Sequence, residues 1–281
     1  MKLALGTVQF GVDYGAFGTG RQVARPQVTE ILDLALAAGV DLLDTARAYG
    51  EAEAVIGAQP ASEQFRIVTK CPPIAPEVDA ADALLAQFEA SCRALGVKKV
   101  AGYLLHFAGD IARPGVVDVL ESLVADGRIE RFGVSIYDFA EAEEICARYP
   151  VTLVQLPANV LVPWFRDRGL PETVEVHVRS AFLQGFLLSD PLGLSDRFVE
   201  WRSVLETFRH RAGALGLSPH QAALAPLLHS PYVHRVVVGC DTPAQLTELI
   251  SAAATGPADL GDYATVTPEL TDPRNWQRSR T

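Results

Sequence analysis

The sequence predicts an α/β fold in which residues 1–281 form a single domain, a closed (β/α)8 barrel of the TIM type. Short apolar runs alternate with longer segments whose apolar residues have helical spacing, a pattern typical of parallel strands joined by helices. The length of 281 residues is close to the roughly 250 that such a barrel takes. No G-x-G-x-x-G turn of an open, doubly wound sheet follows the first apolar run, and right-handed crossovers then favour closure.

The eight predicted strands are apolar runs of four to six residues. They are Leu3–Val8, Val40–Leu43, Phe65–Thr69, Val100–Leu105, Arg131–Ser135, Thr152–Gln155, Val174–Arg179 and His234–Val238. Helical spacing predicts the helices Gln27–Ala38, Asp82–Leu95, Val116–Ala125, Phe139–Tyr149 and Arg197–Leu215, and another that starts at Ser218 and Pro219. The interval between strands six and seven is short, so a truncated helix is expected there. From about residue 255 the chain is expected to run over the surface as a tail.

Composition and charge restrict the class of function. The net charge of −10 and the pI of about 5.1 argue against a nucleic-acid interface, which needs a basic face. The cysteines are scattered without CxxC pairs or metal-ligand spacing, so no metal site is predicted. Neither a signal-peptide pattern nor an apolar stretch of bilayer length is found. We therefore expect a cytoplasmic protein that binds neither nucleic acid nor a membrane.

Polar residues of four kinds follow or end three of the predicted strands. Asp44 ends the second run and Tyr49 follows on its loop, Lys70 ends the third run, and His106 follows the fourth. Singly, these residues could be a helix N-cap, a rim aromatic, a solvated charge and a core histidine. Together they mark the carboxyl ends of consecutive strands, where the active sites of such barrels lie.

These four side chains suit the reduction of a carbonyl group. Tyr49 can donate a proton to the carbonyl oxygen, and an ammonium such as Lys70 stabilises the phenolate that remains. Asp44 can pair with Lys70 and keep it charged, while His106 can donate a hydrogen bond that orients the substrate. None of the four carries hydride, so the interpretation requires a nicotinamide cofactor and a small-molecule carbonyl substrate.

The stretch Asp44-Thr-Ala-x-x-Tyr49-Gly50 resembles the signature of the aldo-keto reductase family, in its bacterial branch. The resemblance extends from Leu5–Gly11 to Val237–Leu246 and implies a (β/α)8 barrel that uses NADPH or, less often, NADH. It implies Tyr49 as the general acid/base, tuned by Lys70 and Asp44, with His106 positioning the carbonyl.

The same resemblance implies a set of cofactor-binding residues. Residues of the first strand line the nicotinamide ribose, a pair on strands five and six holds the carboxamide, Arg179 stacks on the nicotinamide, and the following loop lies along the pyrophosphate. In chain order the implied residues are Gly6, Thr7, Val8, Asp44, Ser135, Gln155, Arg179, Ser180, Phe182 and Gln184, with Gly239 and Gln245 in the loop after strand eight.

Asp241 stands in that last loop where NADPH-specific members place a base, so the choice between NADPH and NADH stays open, with the resemblance favouring NADPH. Two other classes of function also stay open. One is a catalytically silent or regulatory barrel that binds the cofactor. The other is a lyase or isomerase acting on a phosphorylated sugar, although the Gly-rich phosphate site expected for it is missing.

Overall fold

A computed structural model describes residues 1–18, 20–263 and 266–277. Eight parallel strands close a barrel in which each strand pairs with its neighbours in chain order and β8 returns to β1. The strands are β1 Leu3–Gly6, β2 Leu42–Asp44, β3 Arg66–Cys71, β4 Val100–Leu105, β5 Ile129–Ser135, β6 Leu153–Pro157, β7 Glu175–Arg179 and β8 Arg235–Gly239. The predicted (β/α)8 barrel is confirmed.

Two strand boundaries differ from the prediction in a way that affects the site. Asp44 is the last residue of β2 and pairs with Gly6, and β3 continues through Lys70, which pairs with Leu104. Both polar residues therefore lie inside the hydrogen-bonded sheet, not on the loops after it. Sheet pairing explains the difference, because parallel neighbours extend a strand past its apolar run.

The helices of the described chain surround the barrel. They are α1 Arg25–Ala37, α2 Ala52–Gly57, α3 Ala80–Leu95, α4 Val116–Ala125, α5 Phe139–Arg148, α6 Arg202–Ala214, α7 Pro219–His229, α8 Pro243–Ala253 and α9 Pro268–Thr271. The start predicted at Ser218 is confirmed, since its side chain and that of Gln221 form a reciprocal capping box. The helix predicted from Arg197 begins five residues later, after the short 3-10 turn Val199–Trp201.

The interval between β6 and β7 has the expected truncated form. Its helical content in the structure is one 3-10 turn, Trp164–Arg166. Trp164 fixes this turn, because its indole nitrogen donates to the carbonyl of Pro157 at 2.9 Å. The connection stays short and holds its aromatic side chains against the barrel end.

Apolar packing comprises a large main cluster between the strands and the helices, a small layer inside the barrel, and a second large cluster at the carboxyl end. Within the barrel, one layer contains Ala4, Leu42, Val68, Leu104, Leu153 and Val237. The second cluster joins the loop after β7, helices α6 and α7 and the C-terminal segment. Leu260, Leu270 and Trp276 of that segment are buried in it. The region expected as a surface tail thus inserts apolar side chains beneath the loops.

The four cysteines form no disulfide bonds, and most of them are buried. Cys71, Cys92 and Cys240 are buried and Cys146 is half-buried, and all four are free thiols. Burial raises the pKa of Cys71 to about 11 and that of Cys240 to about 12. Among the described residues, no helix combines the length and apolar character needed to cross a bilayer.

Candidate active site

A buried ion pair lies at the centre of the carboxyl end of the barrel. Lys70 Nζ donates to Asp44 Oδ1 at 2.7 Å and to the carbonyl of Thr45 at 2.8 Å. Lys70 has no exposed surface and Asp44 is 3% exposed. A buried charge is tolerated only when it is paired and hydrogen-bonded, and these contacts meet both conditions.

Two further segments contact Asp44. The side-chain amide of Gln155 on β6 donates to Asp44 Oδ2 at 2.7 Å, and the hydroxyl of Thr7 donates to the Asp44 carbonyl at 2.9 Å. Both carboxylate oxygens of Asp44 therefore have partners, from β3 and from β6. The carboxylate that accepts from Lys70 is thus held from both sides.

Tyr49 is placed beside this pair by a tight approach of two loops. Its amide donates to the carbonyl of Ala46 at 3.0 Å, and Gly50 follows with a φ of 56°, in the left-handed region. A Cβ at Gly11 would collide with the Tyr49 carbonyl, and one at Gly50 would collide with the backbone of Gly11. Glycine is required at both positions for the loops to bring Tyr49 to the end of the barrel.

The ring of Tyr49 lies close both to the ring of His106 and to the Lys70 ammonium. The ring centroids of Tyr49 and His106 lie 5.9 Å apart at 81°, and Lys70 Nζ lies 5.2 Å from the Tyr49 centroid. Together with the Lys70–Asp44 contact, the structure brings all four predicted catalytic side chains into one cluster.

His106 is neutral at physiological pH. Burial, followed by the charge of Lys70, lowers its pKa to about 4. A neutral imidazole still has one N–H to donate. Its Nδ1 is buried with no hydrogen-bond partner in the described part of the chain, so this histidine has bonding capacity left for a substrate.

The predicted carboxamide pair and first-strand residues lie beside this cluster. Ser135 and Gln155 are opposite each other in the β5–β6 ladder, and both are buried. Gly6 ends β1 and Thr7 follows it, and both residues are buried. Val8 is half-buried and begins a 3-10 turn. The Gln155 amide nitrogen is already used by Asp44, which leaves its oxygen for another donor.

The loop after β7 has an unusual backbone. Ser180, Leu183 and Gln184 have φ values of 63°, 49° and 51°, followed by Gly185 at 95°. Non-glycine residues occupy this region at a cost of about 1 kcal/mol or more each, and such strain is common at ligand sites. Phe182, half-buried between them, packs its ring 5.7 Å from that of His220.

Arg179, at the end of β7, does not point into solvent. Its Nη2 donates to the carbonyl of Ile136 at 2.9 Å, and its guanidinium carbon lies 4.1 Å from the ring centroid of Tyr137. The charge of Arg179 also acts on Tyr14 and His106, so this side chain faces the catalytic end of the barrel.

In the loop after β8, the amide of Asp241 donates to Gln245 Oε1 at 2.6 Å. Gln245 therefore braces its own loop through its side-chain oxygen. Asp241 is 8% exposed, and a Cβ built on Gly18 would lie 3.2 Å from its Oδ2. A Cβ at Gly239 would collide with the Gln9 side chain. The loop after β1 thus reaches across to the loop after β8.

Several residues of this region were not identified from the sequence. Tyr14, Tyr137 and Arg274 gather at the mouth, where the guanidinium carbon of Arg274 lies 3.6 Å from the Tyr137 ring centroid. They come from three separate segments, and no local motif links them. Gln9 lies in the 3-10 turn three residues after β1, so its position close to a strand end was a usable signal.

The residues present fit a dinucleotide at this end of the barrel. In the described chain, eight buried side-chain N or O atoms lack a hydrogen-bond partner, and four of them lie in segments that follow strands at the carboxyl end of the barrel, namely Gln9 Oε1, Thr45 Oγ1, His106 Nδ1 and Arg202 Nε. Such groups are normally paired because their desolvation is costly, so unpaired ones near a cleft are expected where the partners are ligand atoms. In contrast, the described residues contain no group of three or more His, Cys, Asp or Glu that could hold a metal ion.

Comparison with protein families gives a match over almost the whole chain. The model of the Aldo/keto reductase family matches residues 2–267. Oxidoreductase sirO of Leptosphaeria maculans is 36% identical over 47% of this chain and 42% of its own length. Methylglyoxal reductase YeaE of Escherichia coli K12 is 34% identical over 47% of this chain and 51% of its own length. The chain thus spans about half the length of these curated relatives.

Solved structures share the fold at low sequence identity. The aldo-keto reductase AKR11C1 of Bacillus halodurans, in its holo form, has a TM-score of 0.70 at 19% identity, covering 99% of this chain and 91% of its own. An aldo/keto reductase of Klebsiella pneumoniae, described in complex with NADP and acetate, has a TM-score of 0.67 at 23% identity, covering 92% and 87%.

Proposed function

The chain belongs to the aldo/keto reductase family of NAD(P)-dependent oxidoreductases, and we propose that it reduces an aldehyde or ketone to an alcohol, or catalyses the reverse, with Tyr49 as general acid/base. The observation that carries this proposal is the cluster of Tyr49, Lys70, Asp44 and His106 at the barrel end. It combines a phenol, a buried ammonium and a neutral imidazole around one point.

Each of these residues has a separate task in the proposed reaction. Tyr49 donates its proton to the carbonyl oxygen of the substrate. Lys70, buried and held by Asp44, stabilises the phenolate that remains, because a nearby positive charge favours the ionised form. Neutral His106 donates a hydrogen bond to the same carbonyl oxygen and orients it. When bound, the nicotinamide cofactor supplies the hydride.

The proposed cofactor contacts come from the ends of six strands and the residues that follow them. They are Gly6, Thr7 and Val8 after β1, Asp44 on β2, Ser135 on β5, Gln155 on β6, Arg179, Ser180, Phe182 and Gln184 after β7, and Gly239 and Gln245 after β8. Their support is their position around the catalytic cluster, together with the unpaired buried atoms of Gln9 and Arg202.

Substitution of Tyr49 by phenylalanine tests the proposal. Tyr49→Phe removes the proton donor, so we expect kcat for an aromatic aldehyde to fall by about 10²- to 10⁴-fold. The dissociation constant of the cofactor, followed by quenching of tryptophan fluorescence, should stay near that of the wild type. A variant that keeps near wild-type turnover would contradict the role of Tyr49. Cofactor binding by the wild type without turnover of any aldehyde or ketone would favour the silent, regulatory barrel.

A second test concerns the choice of cofactor. The extra phosphate of NADPH carries nearly two negative charges, which Asp241 opposes. The family favours NADPH, and we assign the phosphate to Arg202, whose Nε lacks a hydrogen-bond partner in the described chain. We expect a preference for NADPH of less than about tenfold, or about 1.4 kcal/mol.

Asp241→Asn should separate these influences. The amide nearly preserves the shape of the side chain beside Gly18 while removing its charge. We expect tighter NADPH binding in the variant and little change for NADH, measured as dissociation constants at fixed ionic strength. An equal change for both cofactors would mean that Asp241 does not face the 2′ position.

A further inference from the structure

Three segments meet beside the catalytic cluster in a stack of two arginines on one tyrosine. The guanidinium carbons of Arg179 and Arg274 lie 4.1 and 3.6 Å from the ring centroid of Tyr137. Two planar groups this close cannot share one face of a ring, so they cover opposite faces. Tyr137 follows β5, Arg179 ends β7, and Arg274 belongs to the C-terminal segment.

The two arginines differ in their partners. Arg274 donates through Nε and Nη2 to the carboxylate of Asp272, at distances down to 2.6 Å. Arg179 is half-buried and donates one hydrogen bond, to the carbonyl of Ile136. In the described part of the chain no carboxylate pairs with it. Its remaining N–H groups lie at the edge of the guanidinium plane, so they stay available even when both faces of the plane are stacked.

The charge of Arg179 is only partly compensated, because Asp272, the carboxylate whose charge acts on it, is hydrogen-bonded by Arg274 instead. The nearest catalytic groups offer no anion, because Asp44 is held by Lys70 and Gln155 and because His106 is neutral. A guanidinium in such a setting gains strong, charge-assisted hydrogen bonds when a carboxylate arrives, in a geometry that matches the two oxygens.

We propose that Arg179, held in place by Tyr137 and Arg274, selects carbonyl substrates that carry a carboxylate group. This inference rests on the proposed carbonyl reduction and names the class of substrate for the same site. The substrate would be an aldehyde or ketone acid, with its carbonyl at Tyr49 and His106 and its carboxylate at the edge of Arg179. The product would be the corresponding hydroxy acid.

The test uses matched aldehydes that differ in one charge. The 3- and 4-carboxybenzaldehydes are compared with their methyl esters, at neutral pH and low ionic strength, by kcat/KM with saturating cofactor. The ester withdraws more electron density from the ring than the carboxylate does, so its aldehyde is intrinsically more reactive. A preference for the acid must therefore come from binding. We expect a preference of about tenfold or more for at least one isomer, the size of a charge-assisted hydrogen bond.

Variants then locate the source of the preference. Arg179→Gln should bring the acid-to-ester ratio close to one, and Arg179→Lys should keep part of it, because the charge remains. The ratio is insensitive to weaker cofactor binding, which affects both substrates alike. Arg168→Gln serves as the control. Like Arg179, Arg168 stacks on an aromatic ring, but its partners are Phe139 and Glu143 of α5, so its loss should leave the acid-to-ester ratio unchanged.

The outcomes separate failure of carboxylate selection by Arg179 from failure of the proposed carbonyl reduction. Reduction of the esters without any preference for the acids would overturn the inference and leave the reductase function standing. A preference that survives in Arg179→Gln would equally overturn it. Failure to reduce any of the four aldehydes would count against the proposed function itself.

Discussion

Lys70 combines a structural role with the catalytic role that we propose for it. Its side chain is fully buried, yet it carries a charge, and the hydrogen bonds to Asp44 and Thr45 offset the loss of water. Removing one partner of such a pair costs about 3–5 kcal/mol, because the other charge is left buried and alone. For variants of Asp44, the free energy of unfolding therefore has to be measured as well as the activity.

His106 makes stability depend on pH. Its pKa in the folded protein is about 4, below its ordinary value of 6.5, because of burial and Lys70. Between these two values the unfolded chain binds more protons than the folded one. The free energy of unfolding contributed by His106 therefore decreases as pH falls from about 6.5 to 4, by at most about 1.4 kcal/mol per pH unit.

This dependence is measured by urea unfolding of the wild type and of His106→Gln across that pH range. We expect the difference in free energy of unfolding between the two proteins to change with pH in the stated direction, and to be constant above pH 7. Parallel curves throughout would show that His106 is protonated in the folded protein as readily as in the unfolded one.

A residue of this site could be identified from the sequence only where a pattern in its own segment marks it. Asp44, Tyr49, Lys70 and His106 were identifiable because each stands at or just after an apolar run and all belong to one repeating architecture. Tyr14, Tyr137 and Arg274 were not, because only the closed barrel brings their three segments together.

At the scale of elements, the loops after β1 and β7 act as a pair. Phe17, from the loop after β1, packs among Phe186, Phe198 and Trp276, with ring centroids 4.8 to 6.4 Å apart. This contact passes directly over Gly185, where the backbone has a φ of 95°. The two loops that flank the proposed cofactor cleft are therefore joined by apolar packing.

Gly185→Ala should disturb this junction more than backbone strain alone explains. The new Cβ would lie 2.9 Å from the Cβ of Phe17, whereas a Cβ on Gly15, which has a similar φ of 100°, would have no neighbour nearer than 3.6 Å among the described residues. We expect Gly185→Ala to cost at least about 1 kcal/mol more in free energy of unfolding than Gly15→Ala, as overpacking does. Equal costs in urea titrations would show that Phe17 moves aside freely.

Element boundaries were predictable to within a few residues where caps were strong, as at Ser218, and less so elsewhere. The start of α6 was misplaced because residues 197–201 have apolar spacing but form a 3-10 turn ahead of the helix. The extension of β2 and β3 through Asp44 and Lys70 depends on pairing with β1 and β4, which a single segment does not encode.

Three apolar clusters hold the molecule together, and the one at the carboxyl end of the barrel depends on the C-terminal segment. Trp276 is 5% exposed, its indole nitrogen donates to the carbonyl of Leu270 at 3.0 Å, and its ring contacts Phe198. The barrel itself was predictable from the alternation of strands and helices. The second cluster was not, because the segment after residue 255 lacks a regular apolar period.

Trp276→Ala tests how far the fold depends on this segment. Deleting a buried tryptophan side chain typically costs about 3–5 kcal/mol, through lost burial and the cavity left behind. We expect a loss of that size in chemical denaturation. Leu192→Ala, at a position 80% exposed, should change the free energy of unfolding by no more than about 0.5 kcal/mol. A small effect at Trp276 would mean that the segment contributes contacts without stability.

The rates at which the buried thiols are alkylated measure how often parts of the barrel open to solvent. A thiol reacts with an alkylating reagent as its thiolate, and burial keeps Cys71 and Cys240 protonated and out of reach. Cys71 sits next to Lys70 on β3, and Cys240 directly follows β8. The rate at which each becomes labelled therefore reports how often β3 and the end of β8 open to solvent. Mass spectrometry of the labelled peptides would time these two events separately, without any added probe.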